Sequence, residues 1–292
     1  MSYHLRKQRT LAGTAVVEGF GYWTGQDVRV EFRPAPVHSG VVFVRSDLEP
    51  MRRIPARATH RIETPRRTTL AADGATVEMV EHILAALQGL QIDNCEVWVD
   101  RPEMPGCDGS SLPFVESLLA AGAQEQNAAR AQLIVTDATR VSEDNCWVEA
   151  QPAKSNGFSL KYHLDYGVHQ AIGRQTLELV VTPERFCTEL APSRTFILQQ
   201  EADWLRQRGL AQRVTFQDVL VYDEEGPKQN ELRFPDECVR HKALDLVGDL
   251  ALAGCDIIGH IVAYRSGHRL NAQLVRALLA EGQLVDGWRR SA

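Results

Sequence analysis

His241 and Asp245 stand four positions apart in the stretch 239–249, and Lys242 and Asp249 join them if that stretch is helical. At about 100° per residue all four fall within roughly 100° of one another, while Val239, Ala243, Leu244, Leu246, Val247 and Leu250 fill the opposite side. An imidazole and a carboxylate one turn apart can bind the same metal ion, as paired histidines at that spacing do for zinc. A helix whose polar side simply meets water is the plainer reading of the pattern. A second pair, Glu81-His82, interrupts an otherwise apolar helical stretch, 77–88, that Gly89 would end. An ionised carboxylate there needs compensation, which a cation supplies. A lone buried histidine is more often a hydrogen-bonded core residue.

The two stretches share a pattern. Val80, His82, Leu87 and Gly89 lie at one constant offset from Val239, His241, Leu246 and Gly248, and a strand-like run follows each, at 95–99 and 257–264. This spacing predicts an internal duplication. If the halves pack about a pseudo-two-fold axis, equivalent helices bring His82 to His241 and Asp245. Three ligands with an open fourth position would follow, the arrangement of a catalytic zinc site.

The elements that must position these groups are legible in outline. A chain of 292 residues exceeds one typical core and suits two domains. The polar stretch 124–131 is the boundary, giving domains 1–125, with Glu81 and His82, and 131–292, with Thr195, His241, Asp245 and His268. In the first, strands are expected at 14–19, 27–33 and 41–45, with the Gly-rich link 19–25 as a turn. A loop at 100–111 leads to a helix over 113–121, ended by Gly122. In the second, strands are expected at 132–135, 146–150, 158–165 and 175–181, and a helix over 198–208 capped by Gly209. His268 would sit on a loop, 266–271, before a closing helix near 272–280.

Apolar content of 44% and charged content of 24% fit a soluble globular protein and exclude disordered and fibrous classes. A net charge of −6 gives a nucleic-acid partner little support, so the Arg52-Arg53 and Arg66-Arg67 clusters read as solvated surface. The basic start lacks the apolar run of a secretory signal, and no stretch reaches the roughly 18 apolar residues of a membrane span. A cytoplasmic protein without an integral span is expected. The six cysteines form no C-x-x-C pair, so neither a disulfide framework nor a thiolate zinc site is indicated.

With these residues in place, the chain resembles the UDP-3-O-acyl-N-acetylglucosamine deacetylases, the zinc amidases of lipid A synthesis. The resemblance spans about 7–284 and is carried by Thr76-Val77 and Val80-Glu81-His82, Ile92-Asp93-Asn94, Asp108-Gly109-Ser110, Pro113-Phe114-Val115, Ser193-Arg194-Thr195-Phe196, the 239–250 stretch, Ser266-Gly267-His268 and Leu270-Asn271. It implies an α+β fold of two similar domains, each a mostly antiparallel sheet, with helices packed between the two sheets. It implies zinc held by His82, His241 and Asp245, with Fe2+ as the alternative ion, and Glu81 as general base. His268 would be the acid, oriented by Asp249. Thr195 and Lys242 would contact the reacting centre and substrate, and Phe196 the sugar, with Ser193 and Arg194 also expected at the substrate. The helix after Phe196 would border an acyl-chain passage. The partner implied is a small UDP-linked acyl amino sugar, and a monomer is expected.

Such chemistry is coherent in these residue types. An amide is a poor electrophile, so a metal that polarises its carbonyl, a carboxylate base and an imidazolium acid each have work to do. Two departures from the family pattern stand out. Trp23 occupies the place of a histidine in the family's Gly-rich loop, and Ala211-Gln212-Arg213-Val214-Thr215 replaces a Gly-Gly-Ser run after Gly209-Leu210. Two histidines and a carboxylate also suit a non-haem iron(II) oxygenase, but a hydrolytic base beside a ligand argues against it. Metal analysis with a test for oxygen consumption separates the two. A paralogue that binds a nucleotide sugar, or deacylates a different amino sugar, is a further reading.

Overall fold

Alternating buried and exposed side chains build a five-stranded sheet and a seven-stranded one, and five strands of the second repeat the strand order of the first. In the computed structural model, which describes residues 5–153, 157–168 and 170–286, the first sheet runs Ala15–Phe20, Asp27–Pro34, Cys95–Val99, Val41–Arg45, Arg52–Pro55. Part of the second runs Thr139–Glu143, Cys146–Gln151, Asp256–Tyr264, Phe158–Asp165, Arg174–Val180. In each, the middle strand is antiparallel to the strand before it in this order and parallel to the one after it. A parallel neighbour requires a crossover, and in both halves a helix lies within it.

The helices, in chain order, are α1 (Glu81–Gly89), α2 (Leu112–Ala121), the single turn α3 (Pro183–Arg185), α4 (Gln199–Gln207), α5 (Glu237–Leu250) and α6 (His268–Glu281). Helix α2 packs on the first sheet, α5 and α6 pack on the second, and α1 lies along α5. The helices therefore form the middle of a sheet–helix–sheet sandwich. Helix α5 is buried nearly all round, so its polar side does not meet water. Each fully buried Val or Leu on it contributes about 1.5–3 kcal/mol, enough to hold charged groups where solvent would not. The approach of α1 to α5 depends on Gly248, where a Cβ atom would stand 2.1 Å from the Glu81 carbonyl oxygen.

Between the third and fourth quarters of the chain, Phe196–Leu198 pairs in parallel with Leu220–Tyr222, and α4 fills the connection. At the opposite side, Arg6 ties the halves together. Its guanidinium reaches Asp93 of the first half at 2.7 Å and Asp256 of the second at 2.7 Å, and Arg130 adds contacts of 2.9 and 3.3 Å to the same two carboxylates.

Four local expectations are corrected. Helix α1 starts at Glu81 rather than at 77, because Ala75–Glu78 is a strand paired with Thr69–Ala72 and Met79, at φ 59°, turns the chain between them. Gly89 is the last helical residue rather than a left-handed cap. It lies under the Phe186 ring, where a Cβ would come within 2.2 Å, and the positive φ falls on Gln91. The polar stretch at 124–131 is not irregular, since Ala123–Ala129 pairs antiparallel with Lys7–Leu11. His268 is the first residue of α6 rather than part of a loop. No helix among the described residues is long and apolar enough to cross a membrane.

Candidate metal centre and active site

His82 on α1 meets His241 and Asp245 on α5. The three are buried, and one potential ligand atom from each lies within 4.8 Å of the others. Asp245 Oδ1 is 3.6 Å from His82 Nε2 and 3.4 Å from His241 Nε2. Ligand atoms about 2.1 Å from a tetrahedral zinc lie roughly 3.4 Å apart, so the spacing suits one shared ion. Asp245 Oδ1 is also buried without any hydrogen-bond partner, which is costly for a carboxylate oxygen unless something cationic faces it. Its other oxygen accepts from Lys242 Nζ at 2.7 Å.

The surrounding groups set the protonation that a ligand set needs. Burial pushes His241 down to about 4, so its ring is neutral at physiological pH. Its Nδ1 faces the Ser193 carbonyl oxygen at 3.1 Å, which fixes the tautomer with the proton on Nδ1 and leaves the Nε2 lone pair for a metal. Burial opposes ionisation of Asp245, but the imidazole and ammonium of His241 and Lys242 hold its carboxyl well below the usual range. His241 thus offers a neutral nitrogen and Asp245 an ionised oxygen, and two imidazole nitrogens with one carboxylate oxygen are a donor set that fits zinc(II).

Beside this trio runs a second chain of contacts. Glu81 opens α1, and its Oε2 accepts from the Thr68 N–H at 3.0 Å. Burial raises its carboxyl above the ordinary value, which makes it a stronger base when ionised. His268 Nε2 is 3.9 Å from Glu81 Oε1, and its Nδ1 lies 2.9 Å from Asp249 Oδ2. Asp249 is itself held by Thr68 Oγ1 at 2.6 Å and Asn271 Nδ2 at 2.8 Å. Burial works against the His268 charge, but the Asp249 carboxylate outweighs it and lifts the imidazole to about 9. The site thus holds a buried carboxyl of raised pKa and a protonated imidazole side by side.

Glu81, His82, Thr195, Phe196, His241, Lys242, Asp245 and His268 all line one cavity of about 1180 Å³. The Phe196 ring stands 6.2 Å from that of His241. An apolar arm of the same cavity is walled by Ile197, Ala202, Leu205 and Val221, from α4 and the two strands that flank it, and by Val219 just before the second of those strands. Trp23 also lines the cavity, with the Arg67 guanidinium 4.5 Å from its ring centroid. Ala211, Val214 and Thr215 form part of the wall as well, and Arg213 of that loop donates to the Gly25 carbonyl oxygen at 3.2 Å. The loops that carry the two departures from the family pattern therefore touch each other.

Ser193 and Arg194 do different work from the substrate contact expected of them. Neither lines the cavity. Ser193 is fully buried and presents its carbonyl to His241. Arg194 forms a buried ion pair with Glu237 at 2.8 Å and donates to Asn230 Oδ1 and the Glu231 carbonyl. Two residues to which sequence reasoning gave no role in the site are Thr68, which bridges Glu81 and Asp249, and Asn271, one turn after His268 on α6. The i, i+3 spacing from His268 was a readable signal for Asn271; Thr68 carried none.

A sequence profile described as UDP-3-O-acyl N-acetylglycosamine deacetylase matches residues 8–280. The chain belongs to this deacetylase family. A UDP-3-O-acyl-N-acetylglucosamine deacetylase of Mannheimia succiniciproducens is 41% identical over 280 residues, covering 94% of this chain and 90% of its own length. The deacetylase of Thermosynechococcus vestitus is 43% identical over 271 residues, 93% of each chain. That of Haemophilus influenzae is 41% identical over 278 residues, 94% and 90%. The match to the deacetylase family thus covers every segment that builds the cavity.

Proposed function

We propose that this chain hydrolyses the N-acetyl amide of UDP-3-O-acyl-N-acetylglucosamine with zinc as cofactor, as a step of lipid A synthesis. The observation that carries the reading is the unpartnered Asp245 Oδ1 facing two Nε2 atoms, next to the Glu81–His268–Asp249 series. His82, His241 and Asp245 would hold the ion, which when bound polarises an amide carbonyl and acidifies water. Glu81 takes a proton from the attacking water as its oxygen bonds to the carbonyl carbon. Thr195 is the candidate donor to the oxyanion that develops. His268 then gives its proton to the nitrogen as the C–N bond breaks, releasing acetic acid and the amine, which exchange a proton to leave as acetate and ammonium. Glu81 is left protonated 3.9 Å from the imidazole that has just lost a proton, so transfer across that gap resets both groups.

Lys242 holds Asp245 in place and brings positive charge toward the substrate, and the apolar arm takes the acyl chain. The same reading takes 1–125 and 131–292 as two like domains, supported by their shared strand order. Trp23 and the 211–215 loop, both on the cavity wall, favour one second reading: the same amide chemistry on a differently acylated amino sugar. The test is acetate release from UDP-3-O-acyl-N-acetylglucosamine by the purified protein. Release that a chelator abolishes and zinc restores supports the assignment; no release, or release indifferent to the chelator, overturns it.

A further inference from the structure

The most exposed contradiction with ordinary burial, outside the metal centre, is Arg61. Its side chain is 3% exposed, it lines the active-site cavity, and its Nε and Nη2 are buried with no hydrogen-bond partner. Only Nη1 is engaged, by Glu63 Oε2 at 2.7 Å. Nε and Nη2 form one edge of the guanidinium, the edge that grips two oxygens of a carboxylate or phosphate in parallel. Elsewhere this protein uses that edge so: Arg6 presents Nε and Nη2 to both oxygens of Asp256, at 2.7 and 2.8 Å, and Arg45 does the same to Asp47. Of the other arginines of the cavity, Arg66, Arg174 and Arg269 already face Glu201, Asp165 and Glu143, Arg206 donates to the Val214 carbonyl oxygen, and Arg265 also lines the wall.

A buried guanidinium with its fork unfilled is costly, and a site that leaves it so is matched to a ligand that completes it. The geometry points to Arg61 as the anchor of an oxyanion subsite in this cavity, taken by a phosphoryl group of a nucleoside diphosphate. The assignment rests on the substrate proposed above, whose diphosphate is its only formal anion. Acetate and free phosphate share the chemistry, and the test separates them.

Binding of UDP, uridine, inorganic phosphate and acetate is measured by calorimetry on the metal-loaded wild-type protein and on Arg61→Met and Arg61→Lys, with circular dichroism as the check on folding. UDP affinity is expected to fall roughly tenfold or more in Arg61→Met and less in Arg61→Lys, which keeps the charge but loses the fork. Uridine affinity should not change, and phosphate and acetate should bind far more weakly than UDP. The inference is overturned if both variants bind UDP as wild type does, if uridine affinity falls as far as that of UDP, or if wild type binds UDP no better than uridine. Because no turnover is measured, loss of this inference and loss of the deacetylase reading are told apart by the acetate assay.

Discussion

Glu81 and His241 are buried to the same degree yet should fail differently. Replacing Glu81 by Gln keeps the size of the side chain and removes only the base, so turnover should fall about 10²–10⁴-fold while metal content, read by elemental analysis, stays at the wild-type level. His241→Ala removes a ligand and should lose the metal itself. Retained turnover in Glu81→Gln would reassign the base. The acid makes a pH prediction. His268 sits at about 9 against its usual 6.5, so the protonated form it needs is present through neutral pH and lost as pH rises through about 9. kcat/KM should fall on that alkaline side, and Asp249→Asn, which removes the charge that holds the proton, should move the fall to lower pH. The same shift stabilises the fold fully below 6.5, a contribution that disappears as pH rises to about 9. At this scale the sequence disclosed most of the site: His82, His241, Asp245, Asp249 and His268 all meet. It could not disclose that Ser193 acts through its carbonyl or that Thr68 joins base to carboxylate, because backbone contacts between distant segments leave no mark on residue type.

Helix α5 shows what an element must do beyond carrying ligands. Its Gly248 meets the Glu81 carbonyl so closely that a methyl group has no room. Gly248→Ala should therefore push α1 away, destabilising the protein by about 1–3 kcal/mol and lowering turnover through displacement of Glu81 and His82. Thermal melting and steady-state kinetics check both effects, and a variant as stable and active as wild type would show that the helices have slack. Helical periodicity found α5 and the core of α1, yet misplaced the start of α1 by four residues, because an apolar run entering a helix from a strand gives no change of composition at the join. The strand Ala123–Ala129 was invisible for a related reason. Its partner Lys7–Leu11 lies at the far end of the first half, and four of its seven residues are exposed, so no alternation announced it.

At the level of the whole molecule, the candidate ligands come from both halves, His82 from one and His241 with Asp245 from the other. A bound ion then acts as a crosslink, and ligand binding to the native state alone stabilises it by about 4 kcal/mol at a thousandfold excess over Kd. Chelation should lower the melting temperature by several degrees, and zinc should restore it. His82→Ala and His241→Ala should each abolish that response, although they lie on different helices. A melting curve unmoved by chelator would remove the ion from the centre. The sequence offered only four matching positions toward a duplication, and the strand order shared by the two sheets is what the structure adds.

The clamp at the other side of the sandwich has a consequence for synthesis. Arg6 and Asp256 are 250 positions apart, so the contact is impossible until the chain through Asp256 has left the ribosome. The first sheet can order early, but the segment that carries Arg6 must wait for the strand Asp256–Tyr264 before it is fastened. The protein is thus born with its two faces unjoined, and its cavity cannot close before α5 and His268 have emerged.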